Sequence, residues 1–275
     1  MSKTRLGMAR VFELLERAHG IGTRGSERSG WMEQRLSSLL EGVARTRALD
    51  PLSIAESLEA DPKLLAEIAD TLRVGETRFH RDPAQWRALR EQVLPALSVE
   101  RVRAISVGCS TGEEAYTLAM ILDQEARTFP GGFRVVGMDR SDTALAAARA
   151  GVYPEAAASD LPSEFRARYL EPTGNEAVRV ARALRANVSF VTRDVMSGLP
   201  PGSYEVIVCK NMLIYFGEQA RASVIESLLR ALCPGGALLV ARSEVPLVRA
   251  LGERFALTAP GVFTLGPKAS GRARR

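Results

Sequence analysis

The chain has 275 residues, of which 46% are hydrophobic, so one large or two smaller domains with a real core are expected. Its formal net charge is +5, with Lys+Arg 37 against Asp+Glu 32, and most of the basic residues are arginine, which suits recognition of carboxylates and phosphates. A solvated basic surface also explains this excess. No apolar stretch reaches the ~18 residues of a membrane span, and the three cysteines and two histidines lack metal-ligand spacing. We therefore expect a reduced, cytoplasmic protein with no metal, no nucleic-acid partner and no membrane insertion.

Residues 1–73 predict a small N-terminal bundle of helices. Apolar residues recur at helical spacing, or a proline stands in the first turn, in the four segments 9–18, 31–43, 51–58 and 62–72. Arginines, among them Arg28 and Arg35, gather on and around the second segment. A basic helix face favours docking of an acidic partner, although a solvated face explains the same residues.

A linker without periodicity and a connecting helix, predicted over 83–94, occupy residues 74–95. Strands and helices alternate over residues 96–275, which predicts an α/β domain with a mostly parallel sheet. Residues 151–187 break this alternation and predict an insertion that contains a small hairpin. Two short strands around Pro260-Gly261 predict a terminal antiparallel hairpin, and a basic tail at 268–275 follows it.

The most informative stretch is a short strand at 104–107, followed by a glycine turn from Gly108 to Gly112 and a helix from Glu113. Glycine permits a tight turn and the close approach of a ligand, which the free N–H groups of the helix N-terminus would face. Strand, glycine turn and helix in this order are typical of nucleotide-binding α/β domains, although many such turns bind nothing.

Polar residues follow the next predicted strands, at the sheet edge where α/β domains bind ligands. Asp139 ends the second strand and is placed to accept from both hydroxyl groups of a ribose. Asp194 follows the third strand and suits an adenine amino group, while Asn211 and Met212 follow the fourth. These positions predict a site for an adenosine-containing cofactor.

Two acids, Glu113 and Glu114, open the first helix and discriminate between such cofactors. They would repel the pyrophosphate of NAD but suit the amino group and sulfonium of S-adenosylmethionine. Favourable interaction with the helix dipole explains them as well. An NAD-dependent oxidoreductase stays an alternative, although the turn lacks the G-x-G-x-x-G spacing.

With these residues in place, the chain resembles the CheR family of chemotaxis receptor methyltransferases over nearly its whole length. The resemblance rests on the motifs TRFHRDP, SVGCSTGEEAYTLA, DRSDTALAAARAGVY, VSFVTRDV, CKNMLIYF and LCPGGALLVARSE. It implies the Rossmann-like fold of S-adenosylmethionine-dependent methyltransferases, preceded by the helical bundle and carrying a small insertion subdomain. It also implies methyl transfer from S-adenosylmethionine to glutamates of a chemoreceptor, which yields glutamyl methyl esters and S-adenosylhomocysteine.

The resemblance further implies roles for individual residues. The residues expected to bind the cofactor are Thr77, Arg81, Gly108, Glu113, Asp139, Asp194, Val195, Asn211 and Met212. Two residues receive catalytic roles: Tyr215 would orient the substrate glutamate, and Arg81 would hold the cofactor's carboxylate or the substrate. Arg28 and Arg35 would dock on the cytoplasmic helices of the receptor.

Two departures from the family pattern leave alternatives open. Gly75 stands where asparagine is frequent, which removes one contact to the cofactor. The insertion has little room for the hairpin loop that grips a tethered receptor peptide, so we expect methylation without a tether. The alternatives are a non-catalytic CheR-like regulator that binds cofactor or receptor, and a methyltransferase for another substrate.

Overall fold

The structure is a computed structural model that divides the chain into two compact units. The N-terminal unit comprises Met1–Val74 and Met212–Ile225, and the sheet unit comprises Gly75–Asn211 and Glu226–Arg275. Arg28 and Gly75 lie outside the described residues, as does the basic tail. The described residues are 3–22, 29–47, 53–73, 77–249 and 255–266.

The N-terminal unit contains the predicted helices. Their bounds are α1 Lys3–His19, α2 Ser29–Arg47, α3 Ser53–Ala60 and α4 Pro62–Leu72. The side chain of Asp61 caps α4 by accepting from the backbone N–H of Leu64 at 3.0 Å, and Pro62 occupies the first turn, where it forgoes no hydrogen bond. Leu15, Met32 and Leu36, from the predicted apolar positions, are fully buried.

A segment distant in sequence, 212–225, completes this unit. Ile21 forms an antiparallel bridge with Phe216, and the N–H of Gly22 donates to the carbonyl of Tyr215 at 3.1 Å. The N–H of Gly217 returns a bond of 2.9 Å to the carbonyl of Gly20. This pairing joins residues almost 200 positions apart, and no local pattern in the sequence predicts it.

The described residues of the sheet unit form ten strands. Their bounds are β1 Val102–Val107, β2 Phe133–Asp139, β3 Val152–Pro154, β4 Leu170–Gly174, β5 Ala177–Val180, β6 Val188–Thr192, β7 Tyr204–Val208, β8 Leu232–Leu239, β9 Phe255–Ala259 and β10 Val262–Leu265. Seven of them form the main sheet in the order β6-β2-β1-β7-β8-β10-β9.

The first five strands of the main sheet run parallel, and its last pair is antiparallel. β1 pairs in parallel with β2 and β7, while β10 pairs antiparallel with both β8 and β9. The final strand therefore inserts between β8 and β9. The predicted architecture, an α/β unit with a mostly parallel sheet that ends in an antiparallel pair, is confirmed. The strand order reverses beside β1, which places a ligand crevice at the carboxyl end of that strand.

Helices flank the strands of this unit. Their bounds are α5 Pro83–Ala88, α6 Glu113–Gln124, α7 Asp142–Ala150, α8 Ser163–Tyr169, α9 Arg182–Arg185 and α11 Val245–Arg249, while α10 Glu218–Ala231 begins in the N-terminal unit and ends in this one. Tyr116, Leu118 and Met120 of α6 are buried on different sides of the helix. Core packing thus fixes the direction of α6 and the position of its N-terminus.

The connecting helix differs from its prediction as one helix over 83–94. α5 ends at Ala88, a π-helical turn follows over Leu89–Val93, and a 3-10 turn spans Leu94–Ala96. Pro95 has no N–H group and its ring clashes with the carbonyl one turn earlier, so the regular helix cannot continue to that point.

The insertion contains one more strand than the predicted hairpin. β3, β5 and β4 form a separate antiparallel sheet, with β5 in the centre. Only Asn175 and Glu176 connect β4 to β5, and both have a positive φ, of 51° and 54°, which matches a type I′ hairpin turn. The loop at this tip is therefore as short as a hairpin loop ordinarily becomes.

Candidate cofactor site

The glycine turn after β1 takes its shape from backbone constraints. The N–H groups of Gly108 and Cys109 both donate to the carbonyl of Met138, at 2.8 and 3.0 Å. Gly108 has φ 73° and Gly112 has φ 97°, a region that favours glycine. A Cβ atom on Gly112 would lie 2.8 Å from the Cβ of Ala148. The turn therefore requires glycine at position 112 both for its backbone conformation and for space.

Asp139, at the end of β2, has a half-buried carboxylate fixed by two backbone groups. Its Oδ2 accepts from the N–H of Ser110 at 2.9 Å, and its Oδ1 accepts from the N–H of Ser141 at 3.0 Å. These bonds orient the carboxylate beside the glycine turn. Each oxygen keeps a second lone pair, which can accept from the hydroxyl groups of a ribose.

Glu113, the first residue of α6, is a buried acid beside the same turn. Its side chain is 5% exposed, and its Oε2 accepts from the hydroxyl of Thr111 at 2.7 Å. Burial raises the pKa of Glu113 above its ordinary value, because water no longer solvates the carboxylate. A ligand with a cationic amino group would restore the lost stabilisation of this charge.

Glu114 does not accompany Glu113, although both acids were expected to face the ligand. Its Oε1 accepts from the buried hydroxyl of Ser106 at 2.8 Å, and its Oε2 lies 3.9 Å from Nζ of Lys210. Burial raises the pKa of Glu114, and the Lys210 ammonium opposes that shift. The two consecutive acids thus have different partners, because side chains one residue apart on a helix diverge by roughly 100°.

The loop after β6 lies at the same sheet edge. Asp194 accepts from the N–H of Met196 at 2.9 Å, and its Oδ2 lies 3.8 Å from Nη1 of Arg140. The N–H of Arg193 donates to the carbonyl of Asp139 at 2.8 Å, which ties this loop to the end of β2. The structure therefore brings Asp194 and the buried Val195 close to Asp139, the residue predicted to bind the ribose.

The linker passes beside α6. The N–H of His80 donates to the hydroxyl of Thr117 at 3.0 Å, and the same hydroxyl donates to the carbonyl of Glu113 at 2.7 Å. The carbonyl of Arg81 accepts from the ammonium of Lys210 at 3.0 Å. Thr77, half-buried, precedes this anchored stretch in the same unit.

Asn211 follows β7 in a left-handed conformation with φ 58°. Its N–H donates to Oε2 of Glu244 at 2.9 Å, and Glu244 is fully buried. Sequence analysis missed both Glu244 and Lys210 as residues of this region. Both lie in the quoted CKN and ARSE motifs, Lys210 two residues after the end of β7 and Glu244 five residues after the end of β8.

Met212 and Tyr215 belong to the N-terminal unit, and their part in the site stays a prediction. The Tyr215 side chain is 4% exposed, and its N–H donates to the carbonyl of Met212 at 3.1 Å.

Arg35 has partners inside the N-terminal unit. Its Nε donates to the carbonyl of Thr71 at 2.9 Å, and its guanidinium lies 5.6 Å from the ring centroid of Trp31. Part of the positive charge that was expected to dock on a receptor therefore serves contacts within the unit. Arg45, on the same helix, is exposed.

Two features are absent from the described residues. They contain no group of three or more His, Cys, Asp or Glu side chains that could hold a metal ion. No helix within the described ranges combines the length and apolar character needed to cross a membrane.

Comparison with known proteins gives consistent matches. A family model described as CheR methyltransferase, SAM binding domain, matches residues 75–255. The chain is 30% identical over 247 residues to the chemotaxis protein methyltransferase Cher2 of Pseudomonas putida, covering 86% of this chain and 88% of that protein. It is also 30% identical over 246 residues to chemotaxis protein methyltransferase 1 of Pseudomonas aeruginosa, with the same coverage of 86% and 88%.

A third relative is named for biofilm formation instead of chemotaxis. Over 194 residues the chain is 34% identical to the probable biofilm formation methyltransferase WspC of Pseudomonas putida, covering 68% of this chain and 45% of that protein. The family match spans well over half of the chain and includes every anchored element of the site described above. The chain belongs to the CheR methyltransferase family and carries its S-adenosylmethionine-binding domain.

Proposed function

We propose that this protein transfers a methyl group from S-adenosylmethionine to glutamate side chains of a chemoreceptor, forming glutamyl methyl esters. The observation that carries the proposal is the pairing of a buried carboxylate at Glu113, whose pKa burial raises, with an oriented carboxylate at Asp139 on one turn. This pair suits a cofactor with a cationic amino group and a ribose. The names of the relatives, chemotaxis protein methyltransferases, support a chemoreceptor as the substrate.

Each candidate residue would bind a different part of the cofactor. Glu113 would accept from the α-amino group, Asp139 from the ribose hydroxyls, and Asp194 with Val195 would hold the adenine. Gly108 would let the backbone approach the ligand. The remaining contacts fall on the linker residues and on the turn after β7, namely Thr77, Arg81, Asn211 and Met212.

When bound, S-adenosylmethionine supplies an electrophilic sulfonium methyl group. A glutamate carboxylate is already ionised at neutral pH, so the protein needs no general base. Its own contribution is to position the carboxylate in line with the methyl group, which is worth up to ~7–11 kcal/mol in ideal cases. Partial removal of water from the nucleophile contributes further.

Tyr215 and Arg81 would do this positioning. The Tyr215 hydroxyl would orient the substrate glutamate, and the Arg81 guanidinium would hold the cofactor's carboxylate or steer the substrate. Replacing Tyr215 with phenylalanine should lower kcat about tenfold or more while leaving cofactor affinity unchanged, because one oriented hydrogen bond to a carboxylate is lost. An unchanged kcat would refute the role of Tyr215.

A basic face of α2 that includes Arg35 would dock on the acidic helices of the receptor, and Arg28, which precedes α2 in the sequence, would add its charge. Because Arg35 also holds Thr71, its reversal to glutamate needs a companion variant, and exposed Arg45 provides one in Arg45→Glu. Docking through this face predicts that Arg45→Glu raises the KM for receptor and reduces its salt dependence, with cofactor affinity unchanged. An equal KM for receptor in the wild type, Arg35→Glu and Arg45→Glu would contradict docking through this face.

The two-residue tip of the insertion supports methylation without a tether. A receptor fragment lacking its C-terminal peptide should then be methylated as well as the full-length receptor. A KM that rises sharply on removal of the peptide would contradict this part of the proposal. The domain boundaries at 73/74 and 95/96, and the limits 151–187 of the insertion, remain proposals of the same kind.

The central test combines calorimetry and a methyl-transfer assay. Calorimetric titration should show binding of S-adenosylmethionine and S-adenosylhomocysteine, and no binding of NAD. Radiolabelled methyl should then appear in receptor cytoplasmic fragments as a base-labile ester. Label in a base-stable form would identify a different acceptor chemistry, and cofactor binding without any label would favour the non-catalytic regulator.

A second candidate differs in output rather than chemistry. The match to WspC favours a receptor that controls biofilm formation instead of motility. Deleting the gene and measuring both phenotypes separates the two, because only one of them should change.

A further inference from the structure

The turn after β7 depends on two buried charges, which have no role in the site as proposed so far. Lys210 and Asn211 are consecutive, yet the first is held by its side chain and the second by its backbone. The Lys210 side chain is 2% exposed. A charge this deeply buried is costly unless its surroundings compensate it, so its partners indicate what it does.

The Lys210 ammonium joins two other segments of the site. It donates to the carbonyl of Arg81 at 3.0 Å and lies 3.9 Å from the carboxylates of Asp82 and Glu114. It also lies 4.6 Å from the ring centroid of Trp86, whose Nε1 donates to the same Arg81 carbonyl at 2.8 Å. One ammonium thus contacts both the linker and the first turn of α6.

Glu244 provides the complementary charge from the end of β8. It is fully buried, and its Oε2 accepts from the N–H groups of Asn211 and Ala241, at 2.9 and 3.0 Å. Its negative charge also acts on Lys210. Burial lowers the pKa of Lys210, and the surrounding carboxylates, Glu244 among them, oppose that shift. The two residues therefore stabilise each other's burial as well as the turn between them.

The same segments carry the backbone strain of this region. Of the six non-glycine residues with positive φ in the described ranges, four are His80, Asp82, Ser110 and Asn211. They lie in the linker, in the glycine turn and after β7, the three segments that supply the candidate cofactor residues. Strained conformations persist only where neighbouring groups hold them. Lys210 holds the linker through the carbonyl of Arg81, and Glu244 holds the turn after β7 through the N–H of Asn211. The ion pair of Lys210 with Glu114 also connects this network to α6, the helix that begins directly after the glycine turn.

We propose that Lys210 and Glu244 are positioning residues: their buried charges hold the linker and the turn after β7 in the geometry that binds the cofactor. Neither residue needs to touch the cofactor. The inference rests on the proposed assignment of Arg81 and Asn211 to the site. Glu114, which was expected to face the ligand, becomes a member of this buried network instead.

The test compares this network with a second buried charge at the other end of β7. Glu205 is 4% exposed and accepts from the backbone N–H of Arg103 at 2.6 Å. Glu205→Gln therefore disturbs a buried carboxylate of the same strand without touching the site. The variants are Lys210→Met, Lys210→Arg and Glu244→Gln, each compared with Glu205→Gln in the full chain.

Three readouts separate positioning from general stability: the Kd for S-adenosylmethionine by calorimetry, the melting temperature, and hydrogen exchange of the linker amides at 77–82. Lys210→Met should weaken binding about tenfold or more and accelerate exchange in the linker, and Lys210→Arg should recover most of both. Glu205→Gln should lower the melting temperature but keep the wild-type Kd and exchange rates.

If Lys210→Met fails to fold, Glu244→Gln still tests the proposal, because glutamine keeps one oxygen for the N–H groups of Asn211 and Ala241 while it removes the charge and replaces the other oxygen with an NH2 group. It should also weaken binding. Wild-type Kd and linker exchange in the folded variants would overturn the proposal, as would equal losses in Glu205→Gln. Binding of S-adenosylmethionine by the wild type without receptor methylation would refute the proposed function and leave this test intact.

Discussion

The two ends of the parallel strands in the sheet unit treat buried charge differently. At the amino end, Glu205 accepts from the backbone N–H of Arg103, from its guanidinium at 3.3 Å and from the thiol of Cys233 at 3.0 Å. At the carboxyl end, the buried carboxylate of Glu113 accepts from the hydroxyl of Thr111 and from its own backbone N–H, no cation neutralises it among the described residues, and the backbone is left-handed at Ser110. The amino end is a satisfied structural cluster, whereas the carboxyl end keeps strain and charge that a ligand can relieve.

The difference shows where this fold accepts an energetic cost. A fully satisfied carboxylate stabilises the unit in every state. An underpartnered one stabilises it only when a complementary cation is present, which makes the end of the strands responsive to ligand. Variants at matched positions of the two ends test this contrast.

The largest effect is expected for Gly112→Ala. The new Cβ would meet Ala148 at 2.8 Å and the hydroxyl of Tyr153 at 3.0 Å, at a φ of 97°. We expect loss of about 2–5 kcal/mol of unfolding free energy and weakening of S-adenosylmethionine binding by more than about 100-fold, since the glycine turn must shift. Chemical denaturation and calorimetry measure the two quantities.

Gly235 supplies the matched control at the amino end. It has φ 77°, and nothing lies within 4 Å of a Cβ built there. Gly235→Ala should therefore cost only the left-handed backbone, about 1–2 kcal/mol, with unchanged cofactor affinity. A comparable loss of affinity in both variants would mean that instability, rather than the shape of the turn, weakens binding.

The next effect is expected for Glu113→Gln, where stability and binding should move in opposite directions. Burial raises the pKa of Glu113, so the ionised carboxylate destabilises the folded state at neutral pH. Glutamine removes that penalty and keeps an oxygen for Thr111, so the melting temperature should stay equal or rise. Binding of S-adenosylmethionine should weaken about 10- to 100-fold, because a charge-assisted hydrogen bond to the amino group is lost. A lower melting temperature with unchanged affinity would identify Glu113 as a structural residue.

These contrasts also show what the sequence could predict. The glycine turn, Glu113 and Asp139 follow from local chemistry, because a strand, two glycines and an acid after each strand carry their meaning within a few residues. Glu244 and Lys210 do not, since their partners lie 33 and up to 129 positions away. A charged residue after a strand is ordinary at a surface, and only tertiary packing makes it a buried support.

The third strand of the insertion and the break of the connecting helix were missed for related reasons. β3 has three residues and pairs with a strand that begins 25 positions after it starts, too little for a local pattern. In the connecting helix the apolar pattern continues past Ala88, where the regular α-helix ends. Pro95 lies beyond that pattern, and it interrupts the helical hydrogen bonding because it has no N–H group.

Asp139→Asn should have a smaller effect than Glu113→Gln. Asparagine presents one oxygen to two N–H donors, those of Ser110 and Ser141, and its amide nitrogen opposes the other. Affinity for S-adenosylmethionine should fall about tenfold, as expected for one weakened charge-assisted contact. Asp142→Asn, an exposed acid three residues later in the first turn of α7, changes the same charge and should leave the Kd unchanged. Equal losses in both variants would attribute the effect to long-range charge.

The smallest effect is the pH dependence of binding by the unmodified protein. Since burial raises the pKa of Glu113 above its ordinary value, a growing fraction of the free protein carries a proton on this carboxyl as the pH falls. That proton must leave before the carboxylate can accept from a cationic amino group, so affinity should decline on acidification, by less than about tenfold between pH 7.5 and 5.5. The decline should begin at a pH above that of an ordinary glutamate.

Calorimetric titrations across this range, repeated with Glu113→Gln, isolate the contribution of the one carboxyl. The variant has no proton to release at position 113, so its weaker affinity should depend less on pH than that of the wild type. Parallel pH profiles for the two proteins would mean that another group controls the decline. The carboxyl end of the sheet would then owe its response to ligand to strain alone, and the contrast with the satisfied Glu205 would lose its electrostatic part.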